Sequence, residues 1–227
     1  MRFLILFVLL PSLSFAQHIG EVKLYFGASY YPEIWPLENV EEDISRMKDL
    51  RMNVVRMGEF AWSSLEPQEG KYDFAWLHTV IDQLHANGIS VILGTPTATP
   101  PAWLWEKHPE IGRVDDEGHR EYHGARKNYS YTSRIYRAKS RQIVERMARE
   151  FGSKPGVIAW QVDNEFNLHH DYGPDNEKRW RQWLKAKYKT LPELNKRWAN
   201  ALWSQTYQRW EQVPMPRSWL WHHNSLR

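Results

Sequence analysis

Asn53–Val54–Val55–Arg56–Met57 and, further along, Ser90–Val91–Ile92–Leu93–Gly94 are short, nearly unbroken runs rich in β-branched residues. Runs of that length and composition predict strands. Between them Phe74, Leu77, Ile81 and Leu84 recur at the three- and four-residue spacing of one helix face. Asp73 stands where an N-cap belongs, and Gly88 stands where the helix should close. A strand, a helix and a second strand in that order imply parallel pairing through a right-handed crossover.

The same grammar extends in both directions. Upstream, Tyr25 to Ser29 reads as a strand, and Asn39 with Glu42 forms a capping box before a helix whose Val40, Ile44 and Met47 share a face. Downstream, residues 95–132 form a connection rich in Pro, Gly and charge; its length marks it as functional rather than a simple link. A helix carrying Ile143, Met147 and Phe151 follows and ends at Gly152, and Val157 to Val162 is a fourth apolar strand. Trp180, Leu184 and Tyr188 mark another helix, and Thr190 with Glu193 caps one more. No repeat, linker or low-complexity segment interrupts the pattern.

Alternating strands and helices fit either a barrel or an open doubly wound sheet. Ser29–Tyr30–Tyr31–Pro32 follows the first strand where a nucleotide-binding sheet would carry a glycine-rich phosphate loop, so the barrel is preferred. The expected fold is therefore α/β, a (β/α)₈ TIM barrel of which about the first four βα units are present. A closed barrel needs eight, typically about 250 residues.

Composition narrows the function. The chain has 227 residues, 42% of them hydrophobic, enough for one core and too polar for a multi-span membrane protein. Lys and Arg number 30 against 27 Asp and Glu, and the charges are interleaved, as in Glu177–Lys178–Arg179, which argues against a nucleic-acid groove. Met1–Arg2, the apolar run Phe3 to Leu10, and Ser14–Phe15–Ala16 predict a signal peptide over residues 1–16, cleaved after Ala16, and an exported protein over residues 17–227. Cysteine is absent, so neither disulfides nor a lipid-anchored cysteine are expected. The 13 tryptophans suit a carbohydrate cleft, although each one taken singly suits a core.

Chemistry concentrates at Trp160–Gln161–Val162–Asp163–Asn164–Glu165–Phe166, where an apolar strand ends in polar side chains. In a parallel barrel that end faces the active site. A carboxylic acid there, desolvated by aromatic neighbours, is expected to keep its proton near neutrality and serve as a general acid, as glycosidic cleavage requires. On the tripeptide alone, a strand-end salt bridge or a helix N-cap is an equally good reading of Glu165.

Several motifs in order go further. Tyr31–Pro32–Glu33 with Trp35, then Arg56–Met57–Gly58–Glu59–Phe60–Ala61–Trp62, then Thr99–Pro100–Pro101–Ala102–Trp103–Leu104 resemble the opening of glycoside hydrolase family 42 β-galactosidases. Gly124–Ala125–Arg126, Asp163–Asn164–Glu165 and Leu194–Asn195 to Trp203–Ser204–Gln205 continue the match, which runs roughly from Tyr25 to Val213. The resemblance implies retaining hydrolysis of terminal β-D-galactosyl residues, with a β-galactoside as substrate and no cofactor. It assigns Glu165 as acid/base, Asn164 as hydrogen-bond donor to the sugar 2-hydroxyl, and Arg126 as a sugar-binding residue. Without it, Arg126 reads as a surface charge on a long loop. Glu59 matches a position that shapes the pocket and is not expected to be the nucleophile. Full-length family members are often homo-oligomeric.

Two departures qualify the resemblance. Many relatives hold zinc through cysteines; here Ser130 occupies one such position and cysteine is absent, so no metal is expected. His169–His170–Asp171 could replace those ligands but reads as a solvated loop. A retaining enzyme also needs a second carboxylate about 5–5.5 Å from the first, and the family draws it from the barrel's second half. The stretch Met215 to His223 no longer follows the family. The chain is thus expected to be a fragment lacking the nucleophile half, inactive alone, from a truncated or frame-shifted reading frame. Another retaining β-glycosidase of the same barrel clan, or a non-catalytic sugar-binding fragment, are the competing readings.

Overall fold

The computed structural model describes residues 23–166 and 170–217. The leader expected over residues 1–16, His169, and residues 218–223 lie outside the described residues. Four strands, β1 (Gly27–Ser29), β2 (Val54–Met57), β3 (Ser90–Gly94) and β4 (Val157–Gln161), form one sheet in sequential order with every pair parallel. The crossovers carry α1 (Val40–Asp49), the short α2 (Trp62–Leu65), α3 (Ala75–Ala86), α4 (Ala102–Lys107) and α5 (Arg134–Phe151). After β4 come α6 (Pro174–Tyr188) and α7 (Leu191–Arg197). No described helix is long and apolar enough to cross a membrane.

Register separates the two faces of the sheet. Val55, Met57, Val91 and Leu93 are sealed under the helices, where Leu77, Ile81, Leu84, Ile143, Met147 and Phe151 meet them fully buried. The row Ser29–Arg56–Ile92–Ala159 lies on the other face and keeps solvent contact. An extra residue in β4 at the Val91/Ile92 step shifts the register, a bulge of the kind that re-aims side chains near a strand's end. A satellite core of Leu184, Leu194 and Val213, ringed by Trp180, Tyr188, Trp198 and Trp210, ties α6 and α7 to the chain that follows.

Local expectations were met unevenly. Thr190 accepts from Glu193 N, as the capping pattern requires. Asn39 caps nothing: a 3₁₀ turn, Leu37–Asn39, runs straight into α1, so Asn39 is already helical and lacks the extended backbone of an N-cap. Three acids in the first turn of α1, Glu41, Glu42 and Asp43, complement the helix dipole instead. Asp73 does receive Ala75 N at 3.1 Å, one residue ahead of the helix boundary. β1 is shorter than the sequence suggests: ahead of it Leu24 O and Phe26 N–H bond to the Asn53 side chain, while Phe26 O accepts from the Asn53 backbone N–H.

Candidate functional site

Glu59, Asp163, Asn164 and Glu165 all follow the C-terminal ends of strands, where a parallel sheet places its reactive groups. The segment after β4 is built around Asp163. Its N–H donates to Thr95 Oγ1 at 2.7 Å, and its carboxylate accepts from Thr97 Oγ1 at 2.8 Å, Tyr129 O–H at 3.3 Å and Asn164 N–H at 2.6 Å. Burial, with Tyr136 and this carboxylate as neighbours, pushes the Tyr129 phenol far above its ordinary range, so it remains a donor. These bonds stabilise a backbone that L-residues avoid: φ is +58° at Asp163 and +47° at Glu165. Strain held in this way collects at functional sites.

Asn164 is buried, with its Oδ1 accepting from Gln161 Nε2 at 3.2 Å. Its Nδ2 is buried without a partner and is therefore a donor still unspent. Glu165 is 59% exposed, and Oε2 lies 3.3 Å from the Arg126 guanidinium and 3.5 Å from Lys127 Nζ. This corrects one expectation. Cations, not aromatic rings, surround the carboxyl, and Phe166 beside it is itself exposed because nothing among the described residues covers the far side of β4.

The long connection 95–132 is ordered by its own bonding, including the bridges Gly112 to Tyr129 and Val114 to Arg120. It delivers Arg126 to the site. The guanidinium stands 5.9 Å from the Phe60 ring centre and lines an open groove of about 440 Å³ with Phe60, Ser63, Thr99, Pro100 and His123. Arg126 and Glu165 thus meet, and Arg126 is paired rather than an isolated surface charge.

Glu59 follows a different pattern. It is fully buried, and Oε1 accepts from Arg56 and from Tyr31 O–H, each at 2.9 Å. Gly94 on β3 makes room for it, since a Cβ there would lie 2.7 Å from the Glu59 Cβ. Glu33 approaches from the first crossover; burial, with the Glu59 charge adding to it, raises its carboxyl to about 7, and both its oxygens lack partners.

Sequence reasoning gave no role to Glu33, Tyr31, Arg56 or Lys127. An arginine inside the apolar run Val54–Met57, three residues before Glu59, was the available signal for the buried pair. Lys127 carried none, since a lysine in a polar loop reads as solvated. Of the alternative ligand set, His169 lies outside the described residues, and Asp171 Oδ1 accepts from Val114 N–H and Gly173 N–H, which staples two loops together. Ser130 Oγ is hydrogen-bonded to Thr132 Oγ1 at 2.9 Å.

Comparison with known proteins now has a geometry to meet. The sequence model of glycosyl hydrolase family 42, described as β-galactosidase, matches residues 29–226, so the match runs on through Met215 to His223, which were expected to depart from the family. β-Galactosidase YesZ of Bacillus licheniformis is 42% identical over 205 residues, which cover 89% of this chain and 31% of that protein. A β-galactosidase of Thermus thermophilus is 44% identical over 193 residues, 84% of this chain and 30% of its own length. The crystal structure of β-galactosidase from the psychrophilic Marinomonas ef1 superposes with a TM-score of 0.78 at 39% identity, covering 86% of this chain and 30% of that one. The chain therefore spans just under a third of the length of the relatives it matches.

Proposed function

This chain belongs to glycosyl hydrolase family 42, the β-galactosidases, its parallel sheet being the first four strands of a (β/α)₈ barrel, and we propose that it supplies the acid/base side of a retaining β-galactosidase. The meeting of Arg126 and Glu165 at the end of β4, with the buried Asn164 next to Glu165 in the chain, carries the reading. In the first step Glu165 gives a proton to the glycosidic oxygen while a carboxylate attacks the anomeric carbon; in the second it takes a proton from the water that releases the sugar. The unspent Asn164 Nδ2 is suited to the 2-hydroxyl, where a hydrogen bond strengthens as the oxocarbenium-like transition state forms. Arg126, half-exposed at the groove, donates to the other sugar oxygens.

Glu59 is not proposed as the nucleophile. It is sealed, and Arg56 and Tyr31 hold Oε1. The attacking carboxylate is assigned instead to sequence beyond the part of the relatives that this chain matches.

Kinetics of the intact protein on aryl galactosides test the reading. Glu165→Gln should cost about 10²–10⁴-fold in kcat/KM for poor leaving groups and far less for activated ones, which need little protonation. Equal losses for both would remove Glu165 from the acid role. Faster hydrolysis of the matching glucosides would favour another β-glycosidase of the same clan, and sugar binding without turnover would indicate a lectin-like fragment.

A further inference from the structure

Lys127 is 3% exposed, although it sits in a polar loop beside the half-exposed Arg126. An ammonium taken out of water must be given acceptors or it destabilises the fold. Its hydrogen bond goes to the Glu165 backbone carbonyl, and its ion pair, at 3.5 Å, goes to the Glu165 carboxylate. The lysine is anchored in turn: its N–H donates to Ala98 O at 3.0 Å, and its own backbone is left-handed, with φ +64°. Two strained residues, 38 positions apart in sequence, are thus locked to each other.

The strain explains why such a lock is needed. A glutamate at φ +47° costs roughly 1–2 kcal/mol relative to a right-handed or extended backbone, so Glu165 would leave this conformation unless something outside it opposed the change. Asp163 secures Asn164, the residue before Glu165, and Arg126 touches only the carboxylate. Among the described hydrogen bonds, the one that holds the Glu165 carbonyl comes from Lys127. A lysine suits the task, because its compact charge on a flexible stem can serve a carbonyl and a carboxylate of one residue together, whereas a planar guanidinium is shaped for paired oxygens.

We propose that Lys127 is a positioning residue: its buried ammonium clamps Glu165 in the left-handed conformation that holds its carboxyl against Arg126, which lines the groove. The inference rests on the reading of Glu165 as proton donor, but it has a readout of its own. In the intact protein, Lys127→Met should lower kcat on a poor-leaving-group aryl galactoside about 100-fold, the scale of a roughly 1 Å misplacement, with KM held within about threefold. The ¹⁵N order parameter of Glu165 should fall from about 0.85 to below about 0.6.

Lys127→Cys provides the decisive control: the 227 residues of this chain hold no other cysteine, and any in the remainder of the intact protein are first replaced by serine. Its thiolate displaces bromide from 2-bromoethylamine to restore an ammonium at lysine's length, or from 1-bromopropane to give a neutral side chain of the same shape. The aminoethyl form should recover kcat and a rigid Glu165, and the propyl form should recover neither; this pair decides the matter even if the methionine variant does not fold. Wild-type kcat and order parameter in the methionine or propyl form would overturn the clamp. If the intact protein, with the part that supplies the nucleophile, hydrolyses no galactoside, the proposed function fails, while the order parameters still judge Lys127.

Discussion

Glu59 leaves the sheet two residues after β2 and Glu165 four residues after β4, so both carboxylates stand at the same end of one parallel array. The first is fully buried, bonded to Arg56 and Tyr31 and packed against the bare Gly94; the second is 59% exposed on a left-handed backbone, with Arg126 and Lys127 beside it. Topology alone therefore does not make a carboxylate reactive. At β2 the charge is used to join the first crossover to the sheet, whereas at β4 strain is tolerated to leave an oxygen within a ligand's reach.

The largest test of that contrast is thermodynamic. Glu59→Ala would leave the Tyr31 hydroxyl and the part-exposed Arg56 cation without their acceptor; because Arg56 keeps solvent contact and Ser29 Oγ as a partner, the cost falls short of that of a fully buried pair, at about 2–3 kcal/mol. Glu165→Ala should cost less, about 1 kcal/mol, because the carboxylate it removes is exposed and the buried Lys127 keeps the Glu165 carbonyl as an acceptor. Urea unfolding of the two variants measures both. Similar costs would break the comparison, because they would make Glu165 as structural as Glu59.

Much of the scaffold could be read from sequence, because periodicity alone determines which residues a helix buries. Ile143, Met147 and Phe151 repeat every four residues and are completely buried on α5. The site was legible only where a motif ended a strand, as at Asn164–Glu165. Arg126 lies 39 positions before Glu165, and only the self-bonded course of residues 95–132 brings them within 3.3 Å. Lys127 and Glu33 were illegible for a related reason. Both are charged residues in loops, which ordinarily favours exposure, and their burial depends on chain packing that no local spacing encodes. The failure of Asn39 as a cap has the same character: the preceding 3₁₀ turn, not the capping pattern, fixed its backbone.

A smaller effect sharpens the β2 side through pH. The Glu33 carboxyl is raised to about 7 from 4.5, chiefly by burial and further by the Glu59 charge. Below 4.5 it is protonated in both folded and unfolded chains and has no effect. Between 4.5 and about 7 the unfolded chain loses this proton first, so the folded state holds more protons and its stability falls as pH rises. The full shift converts to about 3 kcal/mol, discounted to about 2 kcal/mol because the side chain keeps some solvent contact. Glu33→Gln should therefore exceed wild type by about 2 kcal/mol at pH 8 and match it at pH 4. Other titrating groups are common to both proteins and cancel in the difference. An advantage that did not vary with pH would show that Glu33 has no titration linked to folding.

The smallest expected effect isolates the strain on the β4 side. At φ +47° any residue with a Cβ is disfavoured, so Glu165→Ala keeps the strain while removing the carboxylate. Glu165→Gly removes both. The two variants lose the same contacts, namely the exposed pair with Arg126 and the carboxylate contact of Lys127, and both keep the backbone carbonyl that Lys127 holds. Their difference is therefore the left-handed penalty of about 1–2 kcal/mol, less the extra unfolded-chain entropy of glycine, about 0.4–1 kcal/mol. Glycine should come out more stable than alanine by roughly 0.5–1 kcal/mol, on the order of 1–4 °C in Tm for a chain of this size, the reverse of their order at a right-handed position. Thermal melts of the pair, with the same exchange at an exposed right-handed site such as Glu145 in α5 as control, decide the point. If alanine proved the more stable at 165 as well, Glu165 would not be strained in solution, and the contrast between a sealed and a strained carboxylate would reduce to one of burial.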